Sequence, residues 1–405
     1  MATVDTPGRE WIVRAGESIA AAVRAARPGD TVSVKRGLYA EHIVIDKPLT
    51  LRGVDMPTVS GGNTGDVIRV KAPDVTVQGF IIRDSGADLT AQNAGVYVEP
   101  GSDRVVIRDN VLAYTLFGMW LESIKDIRII GNLITGKRDF LSSQRGNGIQ
   151  LYNTTGAQIV DNDISFTRDG IYVDVSHHAV FRGNKMHHLR FGTHYMNSYY
   201  NLWEGNESYF NRGGLALMMV HNQTVRNNKA WGNTDHGIML RTLTDSLIEN
   251  NVVAANQRGF FIYDAEFNTI RNNLVIDNRV GVHLWAGSVD NRVEGNDFIQ
   301  NRDQVKYVGA KDVYWDGNYW SNYAGWDRND DGIGDIPYEA NDVVDRLTWR
   351  YPLMKLLLDS PSVQTLHLVA AQFPVLRAPS VIDRRPRMRP HYSDWRRWSG
   401  KLRDY

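Results

Sequence analysis

Two columns of residues recur along this chain at a fixed interval, and that interval restricts the fold more than any other feature. Asn stands at Asn110, Asn132, Asn162, Asn184, Asn206, Asn228, Asn251, Asn273, Asn296 and Asn318, in steps of 22 or 23 with a single step of 30. Gly stands at Gly95, Gly118, Gly148, Gly170, Gly192, Gly214, Gly237, Gly259 and Gly281, with the same single step of 30. The shared long step is one coil plus an insertion of eight residues, placed near 136–147, where the chain reads KRDFLSSQRGN. A period of 22 is too short for two-helix repeats, and the Leu framework of leucine-rich repeats is missing. Short β-branched runs such as VVIRDN, HAVFRGN and SLIENNV read as strands joined by bends. The expectation is an all-β chain folded as a parallel β-helix of about 22-residue coils. Asn suits a bend because it tolerates left-handed backbone and bonds nearby amides. Stacked Asn side chains would also meet along the axis about 4.8 Å apart. Gly would permit the other bend.

The ends depart from the repeat. Glu17–Arg27 has an amphipathic helical pattern before Pro28-Gly29 and is expected to cap the first coil, with strands at Thr31–Val34, Glu41–Ile45, Leu49–Leu51 and Val67–Val70. The expected organisation is a capped β-helix over 1–318, a post-helix segment with an Asp-rich loop over 319–357, and C-terminal helices with a basic tail over 358–405. The helices are expected at Leu353–Leu358 and Val363–Phe373. From Arg377 onward the chain holds eight Arg, three Pro and two Trp, a weakly structured tail suited to a partner or membrane surface.

Composition removes several function classes. Lys plus Arg equals Asp plus Glu at 46 each, which argues against a nucleic-acid binder. With no cysteine, disulfides, thiolate metal sites and cysteine nucleophiles are excluded, and a soft-metal site would need Met and His. No 18-residue apolar run reads as a membrane span. The start, Met1-Ala-Thr-Val-Asp, shows no signal-peptide pattern, which fits either a cytoplasmic protein or a mature exported form.

Strand parity separates the two faces. One and three residues after each ladder Gly the positions are mostly apolar, as in Ile171 and Val173 or Ile238 and Leu240, and are expected inside; Thr193 and Tyr195 fit least well. Two and four residues after it, the outward columns read Tyr97, Trp120, Gln150, Tyr172, His194, Ala216, Met239, Phe261, His283 and Glu99, Glu122, Tyr152, Asp174, Met196, Met218, Arg241, Tyr263, Trp285. An outward face this rich in aromatic, Met and His residues is expected to bind something. His194, Met196, Met218 and Met239 are expected to lie close together, a ligand set suited to Cu(I). His283 is a weaker candidate, as are His221 and His236. Met186, His187 and His188 read as a solvated turn. The competing reading of the Met residues is gap-filling in the core or plain packing against a partner.

A second motif follows the solenoid. Asp327, Asn329, Asp331 and Asp335, with Gly332 at the turn, match the first nine positions of an EF-hand-type loop. Position 12 is Tyr338, Glu339 comes one place late, and no helix pattern precedes it. A structural Ca²⁺ loop and a metal-free Asx-rich turn both remain open.

The blocks NGIQLYN, RDGIYVD, FGTHYM, LALMM, HGIML, FFIYDAEFNTI, GVHLWAGSVDNRVEGN, QVKYVG and GNYWSNYAGWDRNDDGIGDIPYEANDVVDRLTWRYP resemble the NosD family. So does the SPSVQTL…FPVL stretch. The resemblance covers nearly the whole chain after the first coils, and Trp315–Pro352 is its most specific part. It implies a right-handed parallel β-helix in the periplasm, peripheral to the membrane. It further implies a non-enzymatic maturation protein for nitrous oxide reductase. The partners would be an ABC transporter permease and ATPase (NosY- and NosF-like), a copper chaperone lipoprotein (NosL-like) and the reductase itself. Transient Cu(I) would be handled for copper–sulfide centre assembly. The alternative class is a carbohydrate-binding or polysaccharide-active β-helix, a lyase, hydrolase or epimerase. Glu99, Glu122 and Asp174 share the outward face, but they are separated by one or more coils. Neither an Asp-Pro-His-Asp stretch nor an Asp cluster with a Lys or Arg base is present.

Overall fold

The computed structural model describes residues 8–285, 287–310, 312–340, 360, 361, 365 and 381–400. The chain divides into two compact units, Met1–Thr234 and Asp235–Tyr405, each built almost entirely of short parallel strands.

In the first unit three ladders of strands run through successive coils. One begins Glu10–Val13, Thr31–Val34, Thr50–Gly53 and reaches Leu202–Glu204 and Thr224–Arg226. A second runs from Leu38–Ala40 to Glu207–Tyr209 and Lys229–Trp231. The third, which carries the outward columns, runs from Ile43–Ile45 through Asp169–Asp174 and Phe191–Met196 to Gly213–His221. Parallel pairing keeps equivalent residues in register, so one side-chain type stacks on itself. Ile107, Ile129, Ile159, Phe181, Trp203 and Val225 form one fully buried column. Phe181 and Trp203 lie face to face with ring centroids 3.9 Å apart. Each such side chain contributes roughly 1.5–3 kcal/mol relative to exposure. The polar exceptions are satisfied internally. Tyr195 is buried, and its hydroxyl donates to Gln223 Oε1 at 2.8 Å, while Thr193 Oγ1 faces Met186 Sδ at 3.6 Å. Met186 is therefore core, not part of a solvated turn.

The cap helix spans Ile19–Ala25, shorter at both ends than the amphipathic pattern. Ser18 caps it, accepting from Ala21 N at 3.1 Å, and Ile19 and Val23 are its buried residues. The insertion falls between the strands Leu133–Gly136 and Ile149–Tyr152 and contains a single 3-10 turn, Ser142–Gln144.

Both ladders exist, and the Asn side chains bond along the axis as expected, but neither column supplies a left-handed bend. The ladder Asn residues do not themselves adopt left-handed backbone. The residue before each one does: Asp109, Gly131, Asp161, Gly183, Gly205 and Asn227 all have φ between 53° and 66°. The Asn side chain instead turns inward and bonds along the axis. Nδ2 of Asn184 donates to Asn206 Oδ1 at 2.9 Å, and Nδ2 of Asn206 to Asn228 Oδ1 at 2.9 Å. The ladder Gly residues sit inside strands, or for Gly148 just before one, and none has left-handed backbone. A Cβ at Gly118 would stand 2.3 Å from the carbonyl oxygen of Gly148 in the next coil. Gly is needed there for close coil-to-coil approach, not for a bend.

The second unit repeats the pattern with the strands His236–Thr244, Arg258–Tyr263, Val280–Leu284 and Asp303–Tyr307. A further Asn column, absent from the expectations, runs through Asn256, Asn278 and Asn301. The expected helices at Leu353–Leu358 and Val363–Phe373 lie outside the described residues. Part of the basic tail is folded rather than loose. Val381–Asp383 adds a strand beside Tyr314–Asp316, and Tyr338–Ala340 pairs antiparallel to it, covering that sheet edge. Asp383 closes the Asn ladder, accepting from Asn318 Nδ2 at 3.0 Å and Trp320 Nε1 at 3.1 Å. Buried Asp297 then takes Arg387 Nη2 at 2.7 Å and the backbone amides of His391 and Tyr392.

Candidate functional site

The third ladder of the first unit presents the expected face. Register puts Tyr172 beside His194 and His194 beside Ala216, and in the next outward column Asp174 beside Met196 and Met196 beside Met218. Neighbouring coils are about 4.8 Å apart, so the two thioethers are direct neighbours. The face is more enclosed than a solvated one. Tyr172, His194, Met196 and Met218 are all partly buried, because large side chains stacked in register shield one another. The hydroxyl of Tyr172 lies 3.9 Å from Met196 Sδ, and its ring meets His194 edge-on at 4.7 Å.

His194 is held from behind. Asp169 is fully buried at the start of the preceding strand, and its Oδ2 lies 3.0 Å from His194 Nδ1. Arg190 grips the same carboxylate with two bonds, Nε at 2.8 Å and Nη2 at 2.5 Å, and Phe191 N donates to it at 3.3 Å. Burial alone would raise the pKa of Asp169. The hydrogen bonds from His194 and Arg190 outweigh it and hold the carboxyl below its ordinary value. His194 Nδ1 lies 3.0 Å from both Asp169 Oδ2 and Arg190 Nη2, so the ring is anchored through Nδ1. Metal-binding histidines are oriented in this way. Sequence reasoning missed Asp169 and Arg190. Their signal was an acidic residue just before one ladder Gly and an Arg two before the next.

The remaining candidates are placed differently. Met239 and His283 belong to the second unit, where each registers with Phe261 from opposite sides. They are two coils apart, about 9.6 Å by the coil spacing, with Phe261 between them in register. His283 is buried and flanked by Phe261 and Trp285, and burial, then Lys306 and Arg258, push its pKa down to about 4. His221 stacks on Tyr199 at 3.7 Å. His187 lies on Tyr209 at 5.0 Å. His236 is buried.

In the Asp-rich loop the oxygens turn to the loop's own backbone. Asp327 Oδ2 accepts from Gly332 N at 2.8 Å, Asp331 Oδ1 from Ile333 N at 2.8 Å, and Asp335 Oδ2 from Arg328 N at 2.8 Å. Asn329 Nδ2 donates to Asp331 at 2.9 Å. Among the described residues, no three His, Asp or Glu side chains gather as a metal-binding group. The carboxylates of the outward face are also engaged or apart. Glu99 pairs with Arg69 at 2.7 Å and Lys71 at 3.2 Å. Tyr152 separates Glu122 from Asp174 in register.

Comparison with known proteins agrees with this architecture. Residues 130–325 match the profile of the family described as periplasmic copper-binding protein (NosD). A "probable ABC transporter binding protein NosD" of Pseudomonas aeruginosa is 40% identical over 375 residues, covering 88% of each chain. The protein of the same name in Stutzerimonas stutzeri is 39% identical over 372 residues, covering 87% of this chain and 85% of that one. Among solved structures, a family 28 exopolygalacturonase of Yersinia enterocolitica aligns with a TM-score of 0.55 over 73% of this chain and 74% of its own. Its 10% identity speaks to the fold alone. At such identity over such a span, the chain belongs to the NosD family.

Proposed function

We propose that this chain is a non-enzymatic accessory protein of the periplasm that takes Cu(I) transiently as cargo while nitrous oxide reductase is matured. The observation that carries the reading is the register pair Met196 and Met218 beside His194, whose Nδ1 is tied to Asp169. Two thioethers and an imidazole nitrogen make a soft donor set that selects Cu(I) over harder ions. His194 would bind through Nε2, Met196 and Met218 through Sδ. Their partial burial limits competing water without sealing the ion in, as a cargo site requires. Met239 is a further candidate ligand and His283 a weaker one, both in the second unit. The name given to the relatives supports work beside an ABC transporter. In this reading the chain docks on the transporter's permease, with its ATPase on the far side. It exchanges copper with a chaperone lipoprotein and the reductase. Ca²⁺ in the Asp327, Asn329, Asp331 and Asp335 loop would be structural and would have to displace the backbone bonds described above.

The test is a Cu(I) titration against a competing chelator, wild type beside the Met196→Ala/Met218→Ala double variant. Losing two thioether ligands should weaken binding by at least about 100-fold, roughly 1.4 kcal/mol per ligand. Equal affinity in the two proteins would remove the assignment.

A further inference from the structure

The first unit holds a second site, chemically opposite to the Met/His face and independent of the copper reading. An open cavity of about 540 Å³ lies where the insertion meets the coils, a size typical of small-molecule sites. One wall is the insertion itself, with Ser142, Ser143 and Arg145. The other is a column of three arginines, Arg168, Arg190 and Arg212. The column follows from the repeat. The three stand 22 residues apart, each two before a ladder Gly, and backbone bonds tie their coils together. Arg190 N donates to Arg168 O at 2.8 Å, and Gly213 N to Arg190 O at 2.9 Å. Their backbones are therefore about 4.8 Å apart per coil.

The fold does not neutralise this column. Arg190 is answered by Asp169. Among the described residues, no carboxylate lies within ion-pair distance of Arg168 or Arg212. Arg145 is fixed by its backbone, with Nε bonded to Phe140 O at 2.9 Å and Nη2 to Arg138 O at 2.8 Å. That leaves its other terminal nitrogen to donate. The nearest acid to Arg145, Asp139, accepts from the hydroxyl of Tyr114 at 2.9 Å. Stacked like charges repel, and desolvation at the cavity wall sharpens the repulsion. The one insertion that interrupts both ladders is spent on adding a further arginine and two hydroxyls to this spot, and irregular insertions in compact repeats are commonly functional.

We infer that this cavity binds a small polyanion, through carboxylate or phosphate groups bridging Arg168 and Arg212, with Arg145, Ser142 and Ser143 closing over it. Planar guanidinium forks match either group. Full-length protein would be titrated calorimetrically with citrate and, separately, with inorganic phosphate at physiological salt. The expected result is saturable one-to-one binding of at least one probe. Citrate alone would assign a polycarboxylate, and phosphate a tetrahedral oxyanion. Arg168→Gln/Arg212→Gln should weaken binding by at least about tenfold through loss of charge-assisted bonds, while Arg279→Gln in the second unit should leave it unchanged. Phenylglyoxal labelling of the wild type gives a readout that needs no variant: the bound probe should protect Arg168 and Arg212. No binding of either probe, undiminished binding by the folded double variant, or unprotected arginines would each overturn the inference.

Discussion

Replacing Asp169 by Asn tests whether the site is a positioned one. The substitution keeps the shape but removes the charge and one acceptor from a group that serves Arg190, His194 and Phe191 N. Two consequences follow, with separate magnitudes. Breaking a fully buried pair by deleting one partner costs about 3–5 kcal/mol. The side chain of Arg190 is 24% exposed and can recover part of its hydration, so about 1–3 kcal/mol is expected. His194 also loses the carboxylate that holds its ring, and outer-sphere partners of this kind are worth about 10- to 100-fold in metal affinity. The assay pairs denaturant unfolding with the Cu(I) competition titration. Asn206→Ala is the control. It deletes the Asn206 side chain, which donates to Phe181 O and Asn228 Oδ1 at 2.9 Å each and accepts from Asn184 Nδ2 at 2.9 Å. With buried groups left unpaired, it should cost at least as much stability, about 3 kcal/mol or more, without touching His194. The reasoning fails if Asp169→Asn binds Cu(I) like the wild type, or if Asn206→Ala weakens copper by the same factor.

Three further outcomes are expected. Gly118→Ala forces a Cβ within 2.3 Å of the next coil's carbonyl oxygen, so the coils must part; a loss of at least about 2 kcal/mol in denaturant unfolding is expected. Asp383→Ala strips the acceptor from Asn318 Nδ2 and Trp320 Nε1 and should release the tail. Trypsin would then cleave after Arg384 and Arg387 under conditions that spare the wild type. His283 has a folded pKa of about 4 against about 6.5 unfolded. The unfolded chain therefore takes up the proton first, and stability present above pH 6.5 is lost as pH falls toward 4. The loss is at most about 3 kcal/mol, and His283→Phe should flatten that slope in a pH series of unfolding curves.

The architecture was legible because a parallel solenoid writes its period directly into the chain. Each coil meets an equivalent coil in register, so one requirement is repeated every 22 or 23 residues. Strand parity in the sequence likewise puts Met196 beside Met218 and His194 on the same outward face. The sequence alone thus determined the coil length, the position of the insertion, the cap and the side of the strand on which the Met and His residues stand. What each repeated residue does was decided by tertiary structure. A periodic Asn announces a constraint without saying whether it lies in its own backbone or in the neighbour above, and here the preceding residue bends while the Asn bonds inward. A periodic Gly likewise reflected the approach of another coil, not its own φ. The Asp169–His194 contact joins residues 25 apart, and the fold of the tail onto Asp297 spans 90 to 94. Such contacts have no local pattern. They depend on which side chain reaches across a coil, and only the folded backbone sets that distance.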